Sequence, residues 1–272
     1  IIQAFPTPVS GGILSTIDKE ACEKAVAQIL EGGEKTLREL ADLLVEPGKG
    51  NDVQARHALH ATAIRVGGPA KTKQRKAFAQ ALAGTLGDDR TKAVKGFILR
   101  QLQICAGNEQ AAAIAPFLTD GDEHLYEYSA QALEAIGPST TEHFRKAYPK
   151  AKGAPRLPVL QGLGFLRDKQ SAKAFRSAAK EKDLEIRLVG LWSLMRIASA
   201  EDAQLLLATA DKEQGWGRIK ATGYCLQLAE TLADAGKKKE AGQVYKDLKK
   251  NRTSKNEEHI RLACDRGLAN LK

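Results

Sequence analysis

The sequence predicts an all-α fold, a solenoid of about seven stacked helix pairs. Three observations support this prediction. Apolar residues follow helical spacing through most of the 272 residues, and leucines recur at a nearly constant interval. Hydrophobic residues make up 43% of the chain but aromatic residues only 5%. A core of Ala, Leu and Ile suits closely packed helices better than sheets, which favour aromatic and β-branched residues.

The chain opens with a segment rich in proline and glycine. Pro6, Pro8, Gly11 and Gly12 predict an extended N-terminal arm over residues 1–15 that need not pack. Residues 16–272 are predicted to form a single solenoid domain. The chain begins at Ile1 rather than Met, and Lys272 follows closely on the first helix of a repeat. We therefore expect it to belong to a larger protein.

An evenly spaced leucine marks each predicted repeat. The steps between these anchors are 31, 30, 31 and 32 residues, and the anchors are Leu102, Leu133, Leu163, Leu194 and Leu226. Looser copies fall at Val26, Ile64 and Leu268. Each period holds two amphipathic stretches separated by a turn, such as 183–198 and 201–210. The sequence therefore predicts one helix–turn–helix pair in each repeat.

A basic residue recurs seven positions before several anchors. The residues in question are Lys95, Arg156, Arg187 and Arg261, and acidic residues such as Asp122 and Asp183 begin some of the same segments. Charges repeated in register can form a ladder of ion pairs along a stack. This arrangement favours ties between repeats over a role in ligand binding.

The Asp183 to Arg187 segment, the small-Leu-x-x-apolar ending and the period near 31 residues resemble HEAT repeats of the type found beside phycobilisome lyases. The resemblance covers residues 18–272. Residues 94–137, and within them 95–104, 107–111 and 116–118, are similar to a narrower variant in exported proteins of planctomycete-type bacteria, often joined to cytochrome c or sugar-acting domains. The resemblance implies a right-handed α/α superhelix and an interaction scaffold without catalytic residues or cofactor. It also implies a periplasmic or secreted location.

The chain lacks the recognised catalytic motifs that were sought, including Gly-x-Ser-x-Gly, His-Glu-x-x-His and the phosphate loop. His57 and His60 lie three apart on a predicted helix, so they could hold a metal or simply line a solvated surface. The four cysteines, at 22, 105, 225 and 264, show no metal-ligand spacing and are predicted to be reduced, buried thiols. No apolar run approaches the roughly 18 residues that a bilayer requires.

Charge gives the clearest functional signal. The 42 Lys and Arg exceed the 33 Asp and Glu, which gives a net charge of +9 and a pI near 9.3. The positive charge comes in bands, since residues 51–100 hold ten basic and three acidic residues and residues 151–200 hold ten and four. A stripe in the second band borders the predicted buried face of a second helix. The candidate partner-binding residues are Lys146, Lys150, Lys169, Lys173, Arg176 and Lys180.

These observations lead to three functional hypotheses. The first is a non-enzymatic scaffold that binds an acidic protein partner or organises a larger multidomain protein. The second is a nucleic-acid-binding protein similar to HEAT-like DNA glycosylases, which need exposed aromatic residues. Trp192 is predicted to pack between repeats, and Trp216 is the more plausible exposed ring. The third is an accessory domain of an exported sugar-acting or cytochrome-containing protein.

Overall fold

The computed structural model describes residues 1–7, 18–68 and 72–271, and every regular element in these residues is helical. The all-α prediction is confirmed. The α-helices of the described residues are α1 Lys19–Asp42, α2 Val53–Gly67, α3 Thr72–Gly84, α4 Lys92–Cys105, α5 Ala111–Ile114, α6 Glu123–Ile136, α7 Thr141–Ala147, α8 Arg156–Phe165, α9 Ala172–Ala178, α10 Leu184–Arg196, α11 Ala203–Lys212, α12 Gly215–Asp234, α13 Lys238–Asn251 and α14 Glu258–Asn270.

These helices form seven pairs followed by one terminal helix. The first pair consists of the two halves of α1, which break at Gly33, where φ is 61° and ψ is −146°. Glycine tolerates this left-handed backbone because it has no Cβ. From α2 to α13 the helices then pair in order, and α14 follows alone. The predicted number of pairs is therefore confirmed.

The chain folds into two compact units, residues 1–159 and 160–272, and α8 crosses their boundary. In the first unit the leading helices of successive pairs pack in a row, α2 on α4 and α4 on α6. In the second unit α10 packs on α12, while α11 and α13 also contact each other. Each unit thus has the neighbour-to-neighbour packing of a helical repeat. The single domain proposed for 16–272 stays a prediction.

Four of the five predicted anchors are fully buried. Leu102, Leu133 and Leu194 are 0% exposed and Leu163 is 1% exposed. Leu226 is only half-buried, and Cys225 takes its place at 0%, 31 residues after Leu194.

The prediction for Ile64 was also wrong. This side chain is 58% exposed, while its neighbour Ala63 is fully buried. Adjacent residues on a helix point about 100° apart, so a shift of one position turns the side chain of Ile64 from the buried face of α2 towards solvent.

The N-terminal segment differs from the expected extended arm. Ile2–Ala4 form a 3-10 turn, and Phe5 is 4% exposed. The Gln54 side chain donates to the Phe5 carbonyl at 2.8 Å, and the Cys22 thiol donates to the Ala4 carbonyl at 3.0 Å. Residues 1–7 are therefore packed against α1 and α2. Residues 8–15 of the predicted arm lie outside the described residues.

Arginines near the start of leading helices bind carbonyls at, or just after, the end of the preceding second helix. Arg187 donates to the carbonyls of Glu181 and Lys182, which follow α9, at 2.6 and 2.9 Å. Arg218 donates to those of Ala210 and Asp211, in the last turn of α11, at 3.3 and 3.2 Å. Arg56 and Arg261 bind carbonyls that follow the preceding helix, those of Val45, Arg252 and Ser254. Because carbonyls of a last helical turn and of the turn after it have no partner within the helix, these guanidinium groups supply one.

Two of these arginines also reach forward to the next repeat. Arg187 pairs with Glu213, which lies just before α12. Arg218 pairs with Glu257 just before α14, through two bonds of 2.7 and 3.3 Å. The predicted ladder is confirmed at Arg187, and Arg218 joins it because its true anchor is Cys225. Asp122 and Asp183 serve instead as helix N-caps, accepting from backbone amides.

Gly190 marks the closest approach of α10 to its neighbour. A Cβ at this position would lie 2.4 Å from the Ala179 nitrogen and 2.8 Å from the Phe175 carbonyl oxygen. Because both atoms belong to the backbone, we expect Gly190→Ala to cost about 1–3 kcal/mol of unfolding free energy. Gly223→Ala is the matched control, since its Cβ meets nothing within 4 Å. Urea unfolding followed by circular dichroism should show loss for the first variant and a small gain for the second.

The Arg187 tie can be tested by removing one partner. Arg187 and Glu213 are 19% and 12% exposed, so Arg187→Leu leaves a nearly buried carboxylate unpaired and two carbonyls uncapped. We expect a loss of about 2–4 kcal/mol in urea unfolding. Lys24→Ala breaks a pair whose side chains are 73% and 79% exposed and should change little. Equal losses in the two variants would contradict a structural role for the tie.

Candidate partner-binding surface

The basic stripe of the second unit lies on a short, one-sided helix. Asp168 accepts from the Gln170 amide at 3.3 Å and begins a 3-10 turn over Lys169–Ser171, from which α9 continues. The helix buries Phe175 and Ala178 completely. Since its apolar face is fully used, the remaining face is free for charged side chains, as the helical wheel predicted.

The four cations of this stripe divide into two groups. Lys169, Lys173 and Lys180 are exposed, and none of them makes an ion pair with another described residue. Arg176 is half-buried, donates to Asp202 at 2.7 Å and pairs with Glu201. These carboxylates raise the pKa of Arg176 above its usual range. Arg176 thus ties α9 to the start of α11, while the three lysines are available to a partner.

The other two candidate cations belong to the first unit. Lys146 lies in α7 and pairs with Glu142 at 2.7 Å, although both side chains are largely exposed. The same bond lowers the pKa of Glu142. Exposed pairs one helical turn apart contribute little, so Lys146 can exchange this partner for another. Lys150 follows α7, is exposed and makes no ion pair with another described residue.

Three of the four cysteine side chains are packed in the interior. Cys105, Cys225 and Cys264 are buried, and Cys22 is half-buried, and all four are free. Burial raises the pKa of Cys105 and Cys225 to about 12 and that of Cys264 to about 11. A nucleophilic cysteine requires a thiolate near neutral pH. The predicted buried state is confirmed for these three residues.

The histidines form no metal site among the described residues, and the two indole rings differ in exposure. The His60 ring nitrogen Nδ1 lies 2.9 Å from the Gln101 side-chain oxygen and so links α2 to α4. Among the described residues no group of three or more His, Cys, Asp or Glu side chains could hold a metal ion. Trp192 is half-buried, and Trp216 is 57% exposed, with Lys220 Nζ 4.5 Å from its ring centre.

An open groove of about 590 Å³ lies between the first halves of α12 and α14. Ile219 and Ile260 supply apolar contact, and Glu257 is the carboxylate among its lining residues. The bond from Arg218 holds the pKa of Glu257 below its usual range. The groove therefore offers apolar surface rather than a carboxylic acid that could donate a proton at neutral pH.

Glu134 in α6 is a half-buried carboxyl without a hydrogen bond or ion pair among the described residues. Burial, together with the negative charge of Glu127, raises its pKa to about 7. The charged form is therefore disfavoured in the folded state.

The described residues define a helical-repeat fold built from successive helix pairs, with a basic, partly unpaired second-helix surface. None of the described helices has the length and hydropathy that a membrane span requires.

Comparison with known proteins gives matches among solved structures only. No family model matches the sequence, and no curated protein matches it. Among solved structures, the complex of CpcE and CpcF of phycocyanin lyase from Nostoc sp. PCC7120 is 17% identical, with a TM-score of 0.46, and the match covers 96% of this chain and 98% of that chain. A designed armadillo repeat protein is also 17% identical, with a TM-score of 0.36, and the match covers 87% and 100%. Because these values are low, the fold assignment rests on the helix pairs themselves.

The raised pKa of Glu134 predicts how stability depends on pH. Above pH 4.5, the ordinary pKa, the unfolded state ionises first, so stability should fall as pH rises towards 7. Glu134→Gln removes this ionisation. We expect the variant to be more stable than the original protein by about 1–3 kcal/mol at pH 8 and similar to it at pH 4.5. Urea unfolding at the two pH values measures the difference, and equal gains at both would contradict the expectation.

Proposed function

We propose that this protein is a non-enzymatic scaffold that binds an acidic protein segment through three exposed lysines at α9: Lys169 in the 3-10 turn before the helix, Lys173 within it and Lys180 just after it. The observation that carries the proposal is the division of roles in this stripe. Arg176 forms ion pairs with Glu201 and Asp202. Lys169, Lys173 and Lys180 are exposed and make no ion pair with another described residue. Flexible, hydrated ammonium groups without internal partners form an electrostatic surface that costs little to engage.

Two further features support binding rather than catalysis. The thiol pKa values lie far above neutral pH, so these cysteines are poor nucleophiles. The 590 Å³ groove is lined largely by apolar atoms, and its carboxylate is engaged by Arg218. Repeat proteins present extended surfaces of this kind to other macromolecules.

Nucleic acid is the competing partner for a basic surface. Single-stranded nucleic acids usually require aromatic side chains interleaved with the cations. The exposed tryptophan, Trp216, lies in α12, and the α9 stripe contains only Phe175, which is fully buried. This composition favours carboxylates of a protein over stacked bases.

A triple variant tests the proposal. Lys169→Glu, Lys173→Glu and Lys180→Glu together should weaken binding of fluorescein-labelled polyglutamate, measured by anisotropy, by about tenfold or more, because each lysine loses an attraction and gains a repulsion. The matched control reverses the exposed lysines Lys237, Lys239 and Lys250, which changes net charge equally at a different place. The control variant should still bind polyglutamate, with only the small loss of affinity that follows from its lower net charge.

The same titration separates the two partner classes. Labelled duplex DNA should bind more weakly than polyglutamate, or should lose the same affinity in both triple variants. Tight duplex binding that falls steeply with salt and depends on α9 would replace the proposal with nucleic-acid recognition. Failure of polyglutamate to bind at low salt would overturn it.

We also propose, on the sequence resemblance of residues 94–137, that the module works within a larger exported protein. Immunoblotting of source cells and their medium tests this. A cell-retained band at the 29.4 kDa of this chain would overturn it.

A further inference from the structure

The turns inside two neighbouring helix pairs of the second unit, between α8 and α9 and between α10 and α11, carry two arginines without acidic partners. Arg196 ends α10, and Arg167 follows α8. No carboxylate pairs with either guanidinium among the described residues. This sets them apart from Arg176, Arg187 and Arg218, each of which pairs with an acid.

The guanidinium group of Arg196 lies over two aromatic rings. Its guanidinium carbon lies 5.7 Å from the centre of the Phe165 ring and 5.4 Å from that of Trp192. It also donates to the Phe165 carbonyl at 2.8 Å, while its Nε is buried and has no hydrogen-bond partner. One donor of the planar fork is thus left without a partner.

Glycine makes room for this arrangement. A Cβ at Gly164 would lie 2.9 Å from the Trp192 ring and 2.2 Å from the Ser193 hydroxyl. The absence of a side chain there lets the indole lie against α8, close to Phe165. Phe165 itself is 47% exposed, so an apolar ring edge adjoins the guanidinium group at the surface.

Arg167 occupies a strained position that other repeats fill with smaller residues. After α6, α8, α10 and α12 the chain turns through a residue with positive φ, and these residues are Gly137, Arg167, Ala198 and Gly236. At Arg167 φ is 55°. A residue with a Cβ is disfavoured in this conformation, where glycine carries no penalty. Ala198, with φ of 54°, carries the same penalty, so Arg167 differs from its counterparts by the charged group that it places at this turn.

The local acids do not neutralise the pair. Asp168 accepts from the Ser171 hydroxyl at 2.6 Å, and Asp202 binds Ser199 and Arg176. Burial and the positive charge of Arg167 lower the pKa of Arg196. Two like charges close enough to interact are thus held together at a surface.

We propose that Arg167 and Arg196, with the rings of Phe165 and Trp192, form a carboxylate-binding site for the acidic protein segment. The site takes a Glu or Asp side chain next to an apolar residue. The guanidinium groups bind the carboxylate, and the exposed edge of Phe165 contacts the apolar neighbour. Arginine and aromatic residues are the side chains that most often dominate protein interfaces. This inference rests on the proposed scaffold function and assigns its specific contact, whereas the α9 lysines supply general attraction.

Arg167→Gly separates binding from folding. The substitution removes the charge and places glycine where glycine is favoured, so the melting temperature should stay equal or rise. Ala198→Gly is the matched control, because it relieves the same backbone conformation, with φ of 54°, one repeat later. Arg167→Gly should weaken binding of a labelled peptide of alternating Glu and Leu by about tenfold, the loss expected for a charge-assisted hydrogen bond. Ala198→Gly should leave it unchanged.

The indole of Trp192 reports on the site directly. In a Trp216→Phe background Trp192 is the remaining tryptophan. The fluorescence emission of Trp192 should change as the Glu–Leu peptide is added and level off when the site is saturated. Arg167→Gly should move the midpoint of this titration to a higher peptide concentration. The α9 triple variant should shift the midpoint but keep the change at saturation.

Three outcomes would overturn the inference. Peptide that binds by anisotropy without changing Trp192 emission, or equally to Arg167→Gly, would refute this site and leave the scaffold function standing. No binding to any form would refute both. Inorganic phosphate or duplex DNA that produces the same Arg167-dependent change more strongly than the peptide would replace the carboxylate with a phosphate group.

Discussion

The fold depends on one repeated interaction, the binding of a guanidinium group to carbonyls at, or just after, the end of the preceding second helix. Arg56, Arg187, Arg218 and Arg261 each make this bond. It supplies a partner to carbonyls that have none within the helix. Since the arginine belongs to the next repeat, each bond holds the end of one helix pair against the start of the next. Arg187 and Arg218 also pair with Glu213 and Glu257, so each of them links its own repeat to the next one along the chain.

This use of arginine explains the chemistry of the surface. A planar fork with five donors can bind carbonyls and a carboxylate together, so arginine is suited to ties between repeats. Lysine carries a single ammonium group on a flexible chain and makes fewer demands on geometry. In the α9 stripe Arg176 is engaged in ion pairs with residues of the next repeat, whereas the three lysines are exposed to solvent. The count of 42 Lys and Arg therefore overstates the number of cations that are free to bind a partner.

Arg167 and Arg196 depart from this rule, and the departure is visible only against the regular repeats. Other turns place glycine or alanine at the left-handed residue, and other arginines have acids. An aligned repeat would have shown arginine at the position of Gly137. The sequence alone did not show that this position has a positive φ or that Arg196 stacks on two rings, because both depend on how α8 and α10 pack.

The sequence by itself determined the helical class, the period near 31 residues, the seven pairs and the face of α9 that is buried, since these follow from local periodicity of apolar residues. The tertiary structure decided which of two adjacent apolar residues is the anchor, as with Cys225 over Leu226 and Ala63 over Ile64. It also decided which cations are tied and which are free. Periodicity specifies a direction around each helix to within about one residue, whereas burial and ion pairing depend on the neighbouring helix that the residue meets.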